Sequence, residues 1–422
     1  MNPIAFAFAA ALAVLSSPAA AQPACAPGTY AAADGDFVVL APVPSIPAPG
    51  LRYLFRDGRR GATSEAAAPL ACRDGLVEVQ GARWSRIAFR ETPARFDSVG
   101  TRLTGLLIEP PGADARRPLV VMVHGSERTS PIGGVYGYAM AAQGISVFVY
   151  DKRGTGGSEG EYTQNFELLA ADAAKALDTA RRLAAGRHGR AGFFGGSQGG
   201  WVAPLAATRS KADFVAVGFG LVASPIEEDR EQMVSEVRAA GLGKDAEALV
   251  TRLSAATATL LLSDFRDGYD ALDAARRAMA AQPWAGKIEG EYSGAMARMT
   301  NEELRHLGRA RFDNLELIWD YDAVAALRKL DTPLLWVLAG EDREAPIETT
   351  RAALLGLAKA GKPIDVYLFP QTDHGMFEFT TGPDGERSVT RITDGYLKLL
   401  GDWIKGDARG PYGRAEHLTA DR

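Results

Sequence analysis

A serine set among glycines is the residue in this chain best placed to do chemistry. Gly195-Gly196-Ser197-Gln198-Gly199 follows the apolar run 192–194 and precedes the helix-compatible stretch 201–207. A G-x-S-x-G sequence between a strand and a helix predicts a sharp turn that holds the serine in a strained backbone conformation. The flanking glycines are needed because a Cβ there would meet neighbouring backbone. The turn lifts the hydroxyl above a sheet, at the positive end of the helix that follows. Serine at its ordinary pKa is a poor nucleophile. It needs a histidine base, itself held by a carboxylate.

The chain has five histidines, so the search for the base is short. His124 and His188 precede the serine, whereas a turn of this kind runs serine, acid, histidine in chain order. His306 falls in a helical stretch and His417 in a polar C-terminal tail. His374 remains, in Asp373-His374-Gly375 directly after the apolar run 364–368. A loop leaving the C-terminal edge of a strand there can reach the serine. The acid is sought after the preceding run, 334–338, which leads into Gly340-Glu341-Asp342-Arg343-Glu344-Ala345-Pro346. Asp342 has the preferred placement, with Glu341 and Glu344 as near alternatives. Acyl transfer also needs donors for a developing oxyanion, roughly 10²–10³ in rate for one donor. The backbone N–H of Gln198, directly after the serine, is one candidate. The second is the N–H of Ser126 in Val123-His124-Gly125-Ser126, with Gly125 allowing close backbone approach and His124 bracing the loop.

These residues must be carried by a scaffold, and the apolar runs say which. Runs at 103–108, 119–123, 145–150, 191–195, 214–218, 334–338 and 364–368 are bounded by turns, and a long helical stretch covers 166–185. Continuous apolar runs alternating with helices predict buried parallel strands in an α/β sheet. Residues 223–326 interrupt the series with helices of polar outer face, near 226–240 and 246–262. This insertion is expected to cap the serine, with Trp284, Met299, Trp319 and Tyr321 available to line an apolar pocket. Residues 22–92 read as a small β-rich N-terminal module, with strands at 37–40 and 51–55 and turn dipeptides Asp57-Gly58 and Asp74-Gly75. Core segments are expected at 93–222 and 327–406, and a polar, frayed tail at 407–422.

Taken together, His124-Gly125-Ser126, Tyr150-Asp151-Lys152-Arg153-Gly154-Thr155-Gly156-Gly157-Ser158, the 195–200 turn, the 340–346 loop and Asp373-His374-Gly375 resemble the α/β-hydrolase superfamily in order and spacing. The wording is most similar to bacterial esterases of the serine aminopeptidase and dienelactone-hydrolase-like branches. The resemblance spans about residues 93–222 and 327–405. It implies an α/β-hydrolase fold, Ser-His-Asp hydrolysis of a small-molecule ester or acyl substrate, no metal and no cofactor. Gly196 stands where the commoner residue is histidine, and the acid motif is compact. A peptidase or acyltransferase would use the same residues, and a non-catalytic binding protein of the same fold is the competing class. Asp151-Lys152-Arg153 reads as a structural charge cluster, because the loop after it lacks the G-x-G-x-x-G and P-loop patterns.

The chain has 422 residues, 46% hydrophobic and 23% charged, and a formal charge of −5 from 47 Lys plus Arg against 52 Asp plus Glu. That balance argues against a nucleic-acid surface. At the N-terminus a short apolar run, 4–15, is followed by Ser16-Ser17-Pro18 and Ala19-Ala20-Ala21. This is the pattern of a secretory signal peptide over residues 1–21, although Met1-Asn2-Pro3 carries no Lys or Arg. A periplasmic or secreted protein is expected, with no stable membrane insertion after cleavage. Cys25 and Cys72 are the two cysteines, and in an oxidising compartment they most simply pair. Closing that loop removes unfolded-state entropy worth about 4 kcal/mol.

Overall fold

A computed structural model describes residues 25–43, 45–47, 50–73, 76–313, 316–383 and 385–419. The signal-peptide segment 1–21 and the Asp74-Gly75 turn lie outside the described residues.

The N-terminal module comprises β1 (Gly28–Ala31), β2 (Phe37–Ala41), β3 (Arg52–Phe55), β4 (Arg60–Ala62), β5 (Leu70–Arg73), β6 (Leu76–Val79) and β7 (Ala82–Arg86). They form one sheet in the order β4-β3-β2-β1-β7-β6-β5. Alternation along β2 and β3 sends side chains to two cores. Val38, Leu40, Tyr53 and Phe55 pack with Cys72 and Trp84 inside the module, while Phe37, Val39 and Leu54 join the core of the main domain. A disulfide joins Cys25 to Cys72, with Cα atoms 5.2 Å apart, and closes the module's own core.

The main domain follows with β8 (Arg90–Ser98), β9 (Thr101–Glu109), β10 (Leu119–Val123), α1 (Val135–Ala141), β11 (Ser146–Tyr150), α2 (Phe166–Leu183), β12 (Ala191–Gly196), α3 (Gly199–Thr208) and β13 (Val215–Gly218). The insertion contributes α4 (Pro225–Ala239), α5 (Lys244–Leu262), α6 (Tyr269–Ala280), α7 (Ser293–Arg298) and α8 (Asn301–Gly308). The chain closes with α9 (Ala323–Arg328), β14 (Leu334–Ala339), α10 (Glu348–Lys359), β15 (Ile364–Phe369), β16 (Phe377–Thr381), β17 (Arg387–Ile392), α11 (Tyr396–Lys405) and β18 (Glu416–Leu418).

The main sheet runs β18-β15-β14-β13-β12-β10-β11-β9-β8. Strands β11, β10, β12, β13, β14 and β15 pair in parallel, and their largely apolar runs fit strands that helices cover on both faces. One face packs on α2 and α3 and the other on α1 and α11. From β10 the chain steps to β11 on one side, then to β12 on the other. The crevice at the carboxyl ends of β10 and β12 is therefore a topological switch point, where ligands of open α/β sheets bind.

Two boundaries differ from the sequence expectation. The core sheet begins at Arg90 rather than residue 93, because β8 pairs antiparallel with β9 along its length. The tail expected to fray from 407 instead adds β18 to the sheet edge, antiparallel to β15, and buries Tyr412. An edge strand is held by backbone hydrogen bonds, so polar composition does not announce it. The hairpin β16–β17 after His374 was also not anticipated. It touches the N-terminal module: the Ile392 N–H donates to the Gly58 carbonyl at 3.1 Å, the Arg391 guanidinium donates to the Asp57 carbonyl, and Arg60 lies over the Phe377 ring.

The insertion opens on a strong helix start, with Ser224 and Glu227 forming a capping box and Pro225 in the first turn. Its helices enclose their own apolar cluster, including Met233, Leu253, Leu272, Met296 and Trp319. Asp229 sits fully buried at the centre. It accepts from the hydroxyls of Ser254 and Ser293 and from the Tyr292 and Ser293 backbone amides, at 2.6–3.0 Å. A buried carboxylate satisfied by four donors pins α4 to α5 and α7 and fixes the segment that carries Glu291 and Tyr292. No helix among the described residues is long and apolar enough to cross a membrane.

Candidate active site

Strand β12 is buried almost to its end, and α3 starts three residues after it. Ser197, between them, has φ +51°, the left-handed region that costs a residue bearing a Cβ. The turn anticipated from the glycines therefore holds the serine under strain. Gly196 has a steric reason of its own. A Cβ there would stand 2.6 Å from the Phe219 ring, and that ring packs edge-on against His374 with centroids 5.1 Å apart.

The structure brings Ser197, His374 and Asp342 together. His374 Nε2 lies 3.1 Å from Ser197 Oγ, and its Nδ1 lies 2.9 Å from Asp342 Oδ2. Asp342 is held in turn by the backbone amides of Glu344 and Ala345, at 3.1 and 2.7 Å. Its two neighbours are engaged differently. Glu341 pairs with Arg387 at 2.7 Å, and Glu344 reaches toward Nε2 of His374, at 3.5 Å, rather than Nδ1. Geometry thus singles out Asp342 among the three carboxylates left open by the sequence. Asp373 anchors the histidine loop: it accepts from the His374 and Arg343 amides and pairs with Arg387 at 2.6 Å. Burial alone would lower the His374 pKa. The hydrogen bond to Asp342 and the charges of Asp342, Glu344 and Asp373 outweigh it and hold the imidazole above its ordinary value.

The remaining histidines stand elsewhere. His306 is exposed on α8, His188 contacts the Gly189 carbonyl, and His417, in β18, stacks on Tyr367 of β15. His124 is buried below the Ser126 loop against Tyr150, with centroids 4.7 Å apart. Burial, then the nearby charge of Lys152, lowers its pKa to about 3, so it stays neutral and packs as an aromatic.

Ser126 and Gln198 both line the cavity that contains Ser197. The approach of their loops does not itself demand glycine at 125, since a Cβ there would lie at ordinary contact distance, 3.5 Å, from that of Ser197, and its nearest atom, at 2.6 Å, is the end of the flexible Glu127 side chain. The Asp151-Lys152-Arg153 cluster divides in two. Arg153 forms a bidentate buried pair with Asp172 on α2, and Asp151 accepts from Ser130 and from the Gly157 amide, so both are structural. Lys152 turns the other way, toward Gly125 and Gln198.

The cavity measures about 210 Å³. The insertion contributes Glu228, Glu291, Tyr292, Phe312 and Trp319 to its lining. Of the four large side chains anticipated there, Trp319 alone lines this cavity. Trp284 and Met299 pack against the insertion's own core, and Tyr321 lies in the main core with its ring 5.2 Å from Phe166. The reason is packing: large apolar residues on amphipathic helices first cover their own domain. Replacing Trp319 by leucine should raise the ratio of long-chain to short-chain ester hydrolysis, whereas Trp284→Leu should leave that ratio unchanged. Parallel kcat/KM series with melting temperatures check this; equal shifts from both variants would mark the insertion as scaffold only. The carboxylates of Glu228 and Glu291 were not foreseen, and nothing in the local sequence distinguishes them from solvated helix and loop residues.

Residues 114–378, more than half of the chain, match a family described as serine aminopeptidase, S33. The chain belongs to this family. It is an α/β hydrolase, as the resemblance implied, and Ser197, Asp342 and His374 all fall within the matched span while the N-terminal module lies outside it. Similar solved structures include an acylaminoacyl peptidase from Pyrococcus horikoshii, 16% identical over 89% of this chain and 50% of that one, with a TM-score of 0.47. An esterase from Pyrococcus furiosus is 14% identical over 76% of this chain and 92% of its own, with a TM-score of 0.45. An α/β hydrolase from Penicillium sp. sh18 is 17% identical over 68% of this chain and 91% of its own, with a TM-score of 0.42. No curated protein matches this S33-family chain by sequence.

Proposed function

We propose that this protein is an exported serine hydrolase that cleaves carboxylic esters through an acyl-enzyme. The observation that carries the reading is the continuous contact from Asp342 through His374 to a strained Ser197. Ser197 attacks the carbonyl while His374 Nε2 takes its proton, and Asp342 orients the imidazole and balances its charge. The N–H groups of Ser126 and Gln198 receive the oxyanion. His374 then gives the proton to the leaving alcohol, and water repeats the sequence to release the acid. No cofactor enters these steps. Among the described residues, no group of three or more His, Cys, Asp or Glu is placed to hold a metal ion. The Cys25–Cys72 disulfide supports the export reading, since such bonds persist in oxidising compartments.

A second reading, aminopeptidase activity, is favoured by the charge of the pocket. Glu228, Glu291 and Glu344 line it from three segments, against one guanidinium, that of Arg311, among the described residues. Burial raises both Glu228 and Glu291, and mutual repulsion with Glu344 raises them further. A substrate bringing an ammonium group would relieve that repulsion and restore the carboxylates. The test is a hydrolysis profile over p-nitrophenyl esters and aminoacyl p-nitroanilides, with Glu228→Gln and Glu291→Gln beside the wild type. If amine recognition operates, KM for aminoacyl substrates rises about tenfold or more per carboxylate, the scale of a charged hydrogen bond, and neutral esters are unaffected. Hydrolysis of neutral esters alone, indifferent to both substitutions, leaves the esterase reading. Failure to turn over either class sinks both.

A further inference from the structure

Lys152 is 3% exposed, just beyond the end of β11. Its ammonium donates to the Gly125 carbonyl at 2.6 Å and to Gln198 Oε1 at 3.3 Å, and it lies 5.0 Å from the centre of the Tyr162 ring. It forms no ion pair with a carboxylate among the described residues. Glu127 and Arg128 act on its charge from nearby with opposite signs, and His124 is close enough to feel it. Burying an ammonium without a carboxylate is unfavourable, so its contacts need an account.

The carbonyl it binds belongs to the same peptide unit as the Ser126 N–H. In a trans peptide, C=O and N–H point in opposite directions. The cis bond among the described residues is Gly410–Pro411, so this unit is trans. Holding the Gly125 oxygen on a buried ammonium therefore directs the Ser126 N–H to the opposite side of the loop, and Ser126 borders the Ser197 cavity. A cation on the oxygen also draws electron density from the amide and strengthens its N–H as a donor. The next peptide is fixed as well, because the Tyr162 hydroxyl donates to the Ser126 carbonyl at 2.5 Å. On the other side of the crevice, the Gln198 side chain bonded to Lys152 also donates to Gln164 at 3.2 Å.

We propose that Lys152 is a positioning residue for the oxyanion hole, its ammonium aiming the Ser126 N–H at the substrate oxygen and tying that donor to Gln198. The proposal rests on the acyl-transfer reading above. It predicts a pH dependence that a neutral structural residue does not give. Burial lowers the Lys152 pKa to about 8, with Arg128 adding to that shift and Glu127 opposing it. Below that value the ammonium is present and the donor is aimed. As pH rises through it, the charge is lost and kcat falls. His374 must be neutral to act as base, and its raised pKa sets the ascending limb. The profile is a bell.

The experiment measures kcat and KM per titrated active site from pH 5 to 9.5, on a p-nitrophenyl ester, for wild type, Lys152→Met and Lys152→Arg. The wild type should show a descending limb near pH 8. Lys152→Met should lose about 10–100-fold in kcat at pH 7 with little change in KM, less than deletion of a whole donor. Its limb near pH 8 should vanish. Lys152→Arg, which stays charged, should recover part of the rate and keep it at high pH. A Lys152→Met enzyme with wild-type kcat, or a wild-type kcat that is flat from pH 7.5 to 9.5, overturns the proposal. The wild-type profile decides even if Lys152→Met does not fold. Wild-type enzyme that takes up no fluorophosphonate would instead sink the serine reading itself, whereas normal labelling with a flat profile removes only the role of Lys152.

Discussion

Ser197→Ala is expected to lower kcat by a factor on the order of 10⁶, leaving a residual rate from the oxyanion donors and binding alone. The expectation follows from the way the site is built. The serine Oγ is presented by a left-handed backbone conformation, 3.1 Å from the one nitrogen able to take its proton. With Oγ gone, the histidine and aspartate have no nucleophile to activate, so the three residues fail as a unit. The backbone should tolerate alanine as well as it tolerates serine, because both carry the same Cβ at the strained position. Melting temperature should therefore change little while catalysis disappears. Intact-mass analysis after fluorophosphonate treatment gives the second readout: one adduct on wild type, none on Ser197→Ala. Equal labelling of the two proteins would remove Ser197 from the mechanism.

Asp342→Asn is expected to cost about 10⁴ in kcat, because a neutral amide favours the imidazole tautomer whose Nε2 carries a proton and cannot act as base. Asp342 faces Nδ1 at 2.9 Å with its side chain 1% exposed, so water does not stand in for the lost charge. The comparison that makes the result specific is with its neighbours. Glu341→Gln should have only a small effect, since that carboxylate serves Arg387. Glu344→Gln should likewise be mild in kcat on neutral esters, because its side chain is 57% exposed and approaches the histidine on the Nε2 side. Steady-state kinetics on one ester for all three variants checks this. A crippled Glu341→Gln beside an active Asp342→Asn would move the acid by one residue.

Much of the scaffold was legible because its signals are local. Residues 119–123, 191–195 and 334–338 carry no polar side chain, and 145–150 and 364–368 carry one each, Ser146 and Asp365, a pattern that fits strands covered on both faces. The serine turn is legible for a similar reason: glycines are required where Phe219 and the Ser126 loop crowd the backbone, and that requirement is written in the sequence beside the serine. His374 followed from chain order and from having few competitors. Strands β16–β18 were not legible. They are short or polar, and their stability comes from pairing with an existing edge or packing on the N-terminal module.

The sequence by itself pointed to the class of sheet, to the candidate serine and to a helical insertion, because each rests on residues close together in the chain, whereas the candidate His374, 177 residues from Ser197, rested on chain order and few competitors. The tertiary structure decided which of three successive carboxylates faces the histidine. Glu341, Asp342 and Glu344 differ in the direction of a side chain, and that is set by the turn geometry and by Arg387, which arrives from β17. It also decided which insertion residues reach the pocket: Glu228, Glu291, Tyr292, Phe312 and Trp319 line it, while Trp284 and Met299 pack on the insertion's own core. The placement of Lys152 belongs to the same class. The sequence reads Asp151-Lys152-Arg153 as one structural charge cluster, and only the meeting of the β10, β11 and β12 loops at the switch point puts the Lys152 ammonium under the Gly125 carbonyl.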